Sequence, residues 1–160
     1  MTYHNIPPVF DKNSEILILG SFPSVKSREA KFFYGHPQNR FWKVISSVFG
    51  CDCPETTEEK KNFLLANRIA LWDVIYSCDI EGSSDSSVKN AVPNDIARVL
   101  NNSNITRIFT NGNLSYNLYN KLCISDTDIA AVKLPSTSPA NAGWSLQRLT
   151  DEWKRLISGA

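Results

Sequence analysis

Three short stretches of this 160-residue chain concentrate side chains able to do chemistry. Gly20-Ser-Phe-Pro-Ser24 follows an apolar run and forms a turn whose backbone amides and hydroxyls suit an anion. It lacks the GKS/T ending of a nucleotide-binding P-loop and the GxGxxG spacing of a dinucleotide fold. Tyr34-Gly-His-Pro-Gln-Asn-Arg-Phe-Trp42 sets an aromatic ring, an imidazole, an amide and a guanidinium just ahead of a helix. A purely structural loop has no need of so many different polar groups. Leu134-Pro-Ser-Thr-Ser-Pro-Ala-Asn141 is the third, a hydroxyl- and proline-rich turn after another apolar run. Together they gather an aromatic ring, an imidazole, an amide, a guanidinium and several hydroxyls beside a turn that could cradle a phosphate.

The elements that carry these stretches follow from periodicity. Glu15–Gly20, Ile69–Tyr76, Thr106–Thr110 and Ile129–Leu134 are short and nearly all apolar, as strands buried on both faces are. Helices are predicted over Arg40–Phe49, from Pro54 to about Asn67 with Thr56 or Thr57 as cap, and over Leu114–Leu122. Two more are predicted, over Pro93–Leu100, opened by its proline, and over Trp144–Ile157. The last has Trp144, Leu146, Leu149, Trp153 and Leu156 as its apolar set. Strands alternating with helices give an α/β fold, a three-layer α/β/α sandwich around a four-stranded parallel sheet, as one domain over residues 1–160. Ligands bind such sheets beyond the carboxyl ends of the strands. The long loop Ser21–Asn39, the loop Pro135–Ala142 and Asn111 all fall there, whereas the serine-rich Glu81–Val88 is read only as a loop.

Composition bounds the alternatives. Seventeen basic residues against sixteen acidic ones leave a formal charge of +1, so any nucleic-acid contact must come from a local basic lip, with Lys26, Arg28 and Lys31 as its candidates. No run approaches the roughly 20 apolar residues of a membrane span. The polar N-terminus, broken by Pro7 and Pro8, is unlike a secretory signal, and the chain reads as cytoplasmic. Four cysteines without a CxxC pair and only two histidines argue against a zinc or iron–sulfur site, so no metal and no cofactor are expected. Nothing calls for an obligate oligomer, and a monomer is expected.

In this order, GSFPS, YGHPQNRFW and LPSTSPAN resemble the motifs of the uracil-DNA glycosylase superfamily, nearest to its hypoxanthine-DNA glycosylase branch. The resemblance runs from about Ile16 to Trp153 and takes in IALWDVIYSC and IFTNG. It implies hydrolysis of the N-glycosidic bond of an everted nucleotide in DNA containing deaminated bases. Uracil-removing branches carry a carboxylate or asparagine in the first motif, and Gly20–Ser24 has neither. The resemblance points instead to Asn39 as the residue that positions the attacking water, with hypoxanthine as the base. A uracil or mismatch glycosylase, or a non-catalytic module for modified bases, are the alternatives.

Each residue also has a plainer reading. Asn39 is well placed to cap the helix that follows it. Tyr34 and Phe22 are candidates to contact the flipped base, His36 to donate a proton to it and Asn111 to read its edge. A core aromatic, a hydrogen-bonded loop histidine and an Asn-Gly turn would leave the same traces. Ser24, Lys26, Arg40, Ser136 and Ser138 are the phosphate candidates. Ser136 with Ser138, Pro139, Ala140 and Asn141 would form the loop that presses into the DNA. Asp73, an acid at the end of an apolar strand, is a reserve candidate for catalysis. Trp42, Trp144 and Trp153 are read as core.

Overall fold

A computed structural model describes residues 1–158. Its strands are β1 (Thr2–Tyr3), β2 (Ile16–Gly20), β3 (Ile69–Asp73), β4 (Ile75–Asp79), β5 (Lys89–Pro93), β6 (Arg107–Asn111) and β7 (Ala131–Leu134). Its helices are α1 (Val25–Ala30), α2 (Phe41–Val48), α3 (Thr57–Ala66), α4 (Ile96–Asn101), α5 (Asn113–Leu122), α6 (Ile124–Thr127) and α7 (Leu146–Trp153). Four strands form a parallel sheet in the order β3-β2-β6-β7, flanked by helices in a three-layer α/β/α arrangement. The apolar runs explain it. Leu17, Ile18, Leu19, Ile69, Ala70 and Leu71 are wholly buried, as strands covered on both faces must be. α2 packs against α7, α3 against β3, and α5 against β6 and β7.

The four predicted strands are the four of this sheet, with one correction. Ile69–Tyr76 is not continuous: β3 ends at Asp73, and the chain turns at Val74 into β4. The Val74 N–H donates to Gly20 O at 2.8 Å and the Ile75 N–H to Ser21 O at 3.0 Å, which ties the bend to the end of β2. β4 belongs to a separate antiparallel sheet, β1-β4-β5, that the apolar pattern did not reveal. Its strand β5 (KNAVP) is mostly exposed and has no apolar face to betray it.

Helix ends supply further corrections. Pro93 closes β5 instead of opening a helix; α4 begins after Asp95, whose carboxylate accepts the Arg98 N–H. α7 begins after Ser145, which accepts the Arg148 N–H and leaves Trp144 outside. Trp144 is half-buried, with the Arg148 guanidinium 4.0 Å from its ring centre, so it is not a core tryptophan as Trp42 and Trp153 are. Leu146 is exposed. Helix α1 interrupts the long loop after β2: Ser24 accepts the Ser27 N–H at its start, and Lys31 ends it in the left-handed region. No helix of the described residues is long and apolar enough to cross a membrane.

Candidate active site

The loops leaving β2, β6 and β7 enclose a cleft of about 1120 Å³ at the carboxyl end of the parallel sheet. Gly20, at the tip of β2, is a close-approach glycine: a Cβ there would lie 2.5 Å from Asp73 Oδ1 and 2.9 Å from the Tyr34 hydroxyl. Its missing side chain leaves room for a carboxyl and a phenol at the base of the cleft. Tyr34 stacks on Phe41, with ring centres 4.1 Å apart, and adopts a positive φ of 53°. A bulky residue held there marks a site over-determined by its surroundings.

One chain of hydrogen bonds joins three of the loops. Asn111 Nδ2 donates to the Tyr34 hydroxyl at 3.1 Å and to Thr137 Oγ1 at 3.0 Å, while Asn111 Oδ1 accepts the Thr137 N–H at 3.0 Å. The Thr137 hydroxyl donates to Asn39 Oδ1 at 2.9 Å, which also accepts the Phe41 N–H at 3.0 Å. Asn39 lies one residue before Arg40, the N-cap of α2, and still accepts the first N–H of the helix from there while lining the cleft. Asn111 lines the cleft too, but both its amide hydrogens are spent inside the protein, leaving one carbonyl lone pair for a base edge.

The loop after β7 supports itself. Ser136 Oγ accepts the Ser138 N–H, Ser138 Oγ accepts the Ala140 N–H, and Asn141 Nδ2 donates to Ser136 O. Gly112, at φ 98°, permits its approach: a Cβ there would stand 3.1 Å from the Ser136 Cβ. Pro139 and Ala140 form its exposed tip. Ser24, Ser136 and Ser138 line the cleft with Phe22, Tyr34, His36 and the rest of this loop. Lys26 and Arg40 do not. The Arg40 guanidinium instead donates to the carbonyls of Trp144 and Asn141, bracing the loop from behind, and the Arg40 N–H donates to Thr137 O. His36 Nδ1 accepts the Gln38 N–H at 3.1 Å, so its ring hydrogen sits on Nε2.

The opposite wall holds acids. Burial, reinforced by the nearby charge of Asp85, pushes the Asp73 carboxyl from its ordinary 3.8 up to about 7. Its Oδ2 has no hydrogen-bond partner. His4 Nε2 lies 3.9 Å away, but burial lowers the imidazole, which gives its Nε2 hydrogen to Ile75 O at 2.7 Å and accepts the Ile6 N–H on Nδ1. Burial disfavours the charged form of both groups, which works against an ion pair here. Asp85 is exposed at the surface, but partial desolvation against the cleft wall raises its carboxyl, which accepts a 3.5 Å bond from the Ser21 hydroxyl. Arg28 reaches across Phe22, 5.3 Å from its ring centre, to Gly82 O at 2.8 Å. Residues Ser83–Ser86 thereby become part of the cleft wall.

Two residues escaped the sequence reading. Thr137, buried between two flagged serines, is the node of the hydrogen-bond chain, and its only signal was its place inside LPSTSPAN. Asp85 sits in a serine-rich loop whose composition resembles any surface turn. It reaches the cleft only because β4 and β5 fold that loop back over β2.

Known proteins share this architecture and sequence. A family model described as the uracil DNA glycosylase superfamily matches residues 7–157. A hypoxanthine DNA glycosylase of Methanosarcina acetivorans is 34% identical over 158 residues, covering 98% of this chain and 99% of the relative. A hypoxanthine DNA glycosylase of Methanosarcina barkeri is 40% identical over 91 residues, 56% of this chain and 58% of that one. A solution NMR structure from Methanosarcina acetivorans, described provisionally as a uracil DNA glycosylase, superposes with a TM-score of 0.80 at 31% identity, over 97% of this chain and 98% of that one. With the parallel sheet, the cleft at its carboxyl edge and the matched span all in agreement, this chain belongs to the uracil DNA glycosylase superfamily.

Proposed function

We propose that this chain is a monofunctional DNA-repair glycosylase that hydrolyses the N-glycosidic bond of hypoxanthine in DNA. The observation that carries the reading is Asn39: it lines the cleft, while the Gly20–Ser24 turn offers neither carboxylate nor amide. The names of the two Methanosarcina relatives supply the base. A weakly paired inosine costs less to extrude than a Watson–Crick base, and a cleft of about 1120 Å³ has room for a nucleoside.

Cleavage through an oxocarbenium-like sugar asks little of the nucleophile, so a neutral amide suffices to hold a water in line with the anomeric carbon. Donors at the departing purine do the rest, and His36, with its hydrogen on Nε2, is suited to that part. Phe22 and Tyr34 offer ring surface to the base. Ser24, Ser136 and Ser138 offer hydroxyls to the flanking phosphates, and Pro139, Ala140 and Asn141 form the wedge that meets the duplex. Lys26 meets DNA from outside the cleft, and Arg40 serves it by bracing the loop that does. Lys133, on the cleft wall, holds its ammonium 5.6 Å from the Tyr116 ring centre and lies outside the catalytic constellation, so no Schiff-base lyase step is assigned.

The test is base release from duplexes and single strands carrying inosine, uracil or xanthine, with alkali treatment to reveal abasic sites. Inosine strands are expected to break only after alkali. Breakage without alkali overturns the monofunctional assignment. Uracil release with inosine left intact overturns the substrate, and binding without release of any base overturns the enzyme.

A further inference from the structure

The hydrogen bonds around Asn39 can be assigned a direction, because the chain is bounded at both ends by backbone N–H groups, which only donate. The Thr137 N–H requires an acceptor, so Asn111 turns Oδ1 to it and Nδ2 to Thr137 Oγ1. The Thr137 hydroxyl, accepting there, has its one hydrogen left for Asn39 Oδ1. The Phe41 N–H requires the same atom. An amide oxygen has two lone pairs, and both are now used. Asn39 Nδ2 has no protein partner among the described residues, and the residue faces the cleft.

We infer that Thr137 is a positioning residue: it locks the Asn39 amide with its oxygen inward, so that Asn39 presents hydrogens, not lone pairs, to the substrate. The inference rests on the glycosylase reading and changes what Asn39 does within it. Asn39 holds its target through an acceptor, either the oxygen of the attacking water or a lone pair on the leaving purine, and it takes no proton. In the hydrolysis the water oxygen bonds to C1′, the C1′–N9 pair departs with the purine, and the surplus water proton goes to the purine anion or to solvent. Thr137 touches no substrate and acts only through the amide that it orients.

Asn39→Asp separates a donor from an acceptor. The carboxylate keeps both inward bonds but offers no hydrogen, so single-turnover release of hypoxanthine is expected to fall about 10²–10³-fold, as far as for Asn39→Ala. Activity of Asn39→Asp at or above wild type overturns the inference. Thr137→Val is expected to lower kcat on the order of 10²-fold with KM little changed, and Thr137→Ser to recover most of it. Full kcat in Thr137→Val also overturns it. A through-hydrogen-bond coupling between the Phe41 amide nitrogen and the Asn39 side-chain carbonyl carbon reports the orientation without any activity. Its absence from the folded wild type overturns the inference. Its presence in a protein that releases no base leaves the orientation standing and sinks the glycosylase reading alone. Inhibition by free hypoxanthine distinguishes the two acceptors: weaker inhibition of Asn39→Ala than of wild type points to the purine, unchanged inhibition to the water.

Discussion

The two walls of the cleft are held in different ways. On the side of Asn39, Asn111 and Thr137, the amides and hydroxyls that meet there are linked in one directed chain, and the loop after β7 closes on itself through serine and asparagine bonds. On the side of Asp73 and Asp85, a buried acid lies close enough to a second, more exposed one to be repelled by it. One oxygen of Asp73 has no hydrogen-bond partner, and burial disfavours the charged form of His4, the basic group beside it. A satisfied polar network rigidifies and fixes orientation; an unsatisfied buried acid opposes folding whenever it ionises. The lesson is that the first wall is built for placement, while the second holds a group whose charge changes near neutral pH at some expense in stability.

The largest expected effect tests the first wall. Asn39→Ala should reduce single-turnover release by about 10²–10³-fold while DNA binding persists, read by single-turnover kinetics beside a binding titration. Retained turnover would place the chemistry elsewhere, and the acid wall would then become the candidate. Asn111→Leu should be next. It strips the Thr137 N–H and the Tyr34 hydroxyl of their partner, at about 1–3 kcal/mol per orphaned buried group, read as a shift in the denaturant midpoint. An unchanged midpoint would mean that the network adds nothing to stability.

The second wall makes a prediction in pH. Asp73 is raised in the folded state, so its stabilising contribution is complete below about pH 4 and is lost as pH climbs through about 7. His4, lowered by burial, works in the opposite sense, its contribution being complete above the ordinary imidazole value and lost as pH falls below it. Asp85, Arg28 and Tyr34 also face this region. Subtracting Asp73→Asn from wild type at each pH isolates the carboxyl. The variant is expected to lose less stability between pH 4 and 7 than wild type, and parallel profiles would show that Asp73 titrates normally. The smallest effect belongs to the periphery. Lys26→Ala should weaken DNA binding uniformly across sequences and reduce the salt slope by about 1 if the ammonium meets a phosphate. An unchanged slope would remove it from the DNA-binding set.

Local sequence determined a good deal. The unbroken apolar runs Ile16–Leu19 and Ile69–Trp72 specify strands buried on both faces, and with alternating helices they lead to a parallel sheet and a site at its carboxyl edge. Period and order alone suffice for that, because burial on two faces leaves a trace in every residue. The motif order made the superfamily legible, and with it came the expectation placed on Asn39. The small antiparallel sheet left no trace, since β5 is mostly solvated and its pairing with β4 is a non-local backbone event.

What only the tertiary structure decided is where each polar atom points. Arg40 could be read as a phosphate contact until its guanidinium was found on the carbonyls of Asn141 and Trp144. Asn111 could be read as a base-reader until its hydrogens were found on Tyr34 and Thr137. Asp73 was one acid on one strand until the bend at Val74 and the bare Cα of Gly20 were found to bury it near the Tyr34 hydroxyl and His4. Periodicity is a property of a segment, and sequence carries it. The partner of a hydrogen bond and the dielectric around a carboxyl belong to pairs of residues 26 to 104 positions apart, and folding alone brings those together.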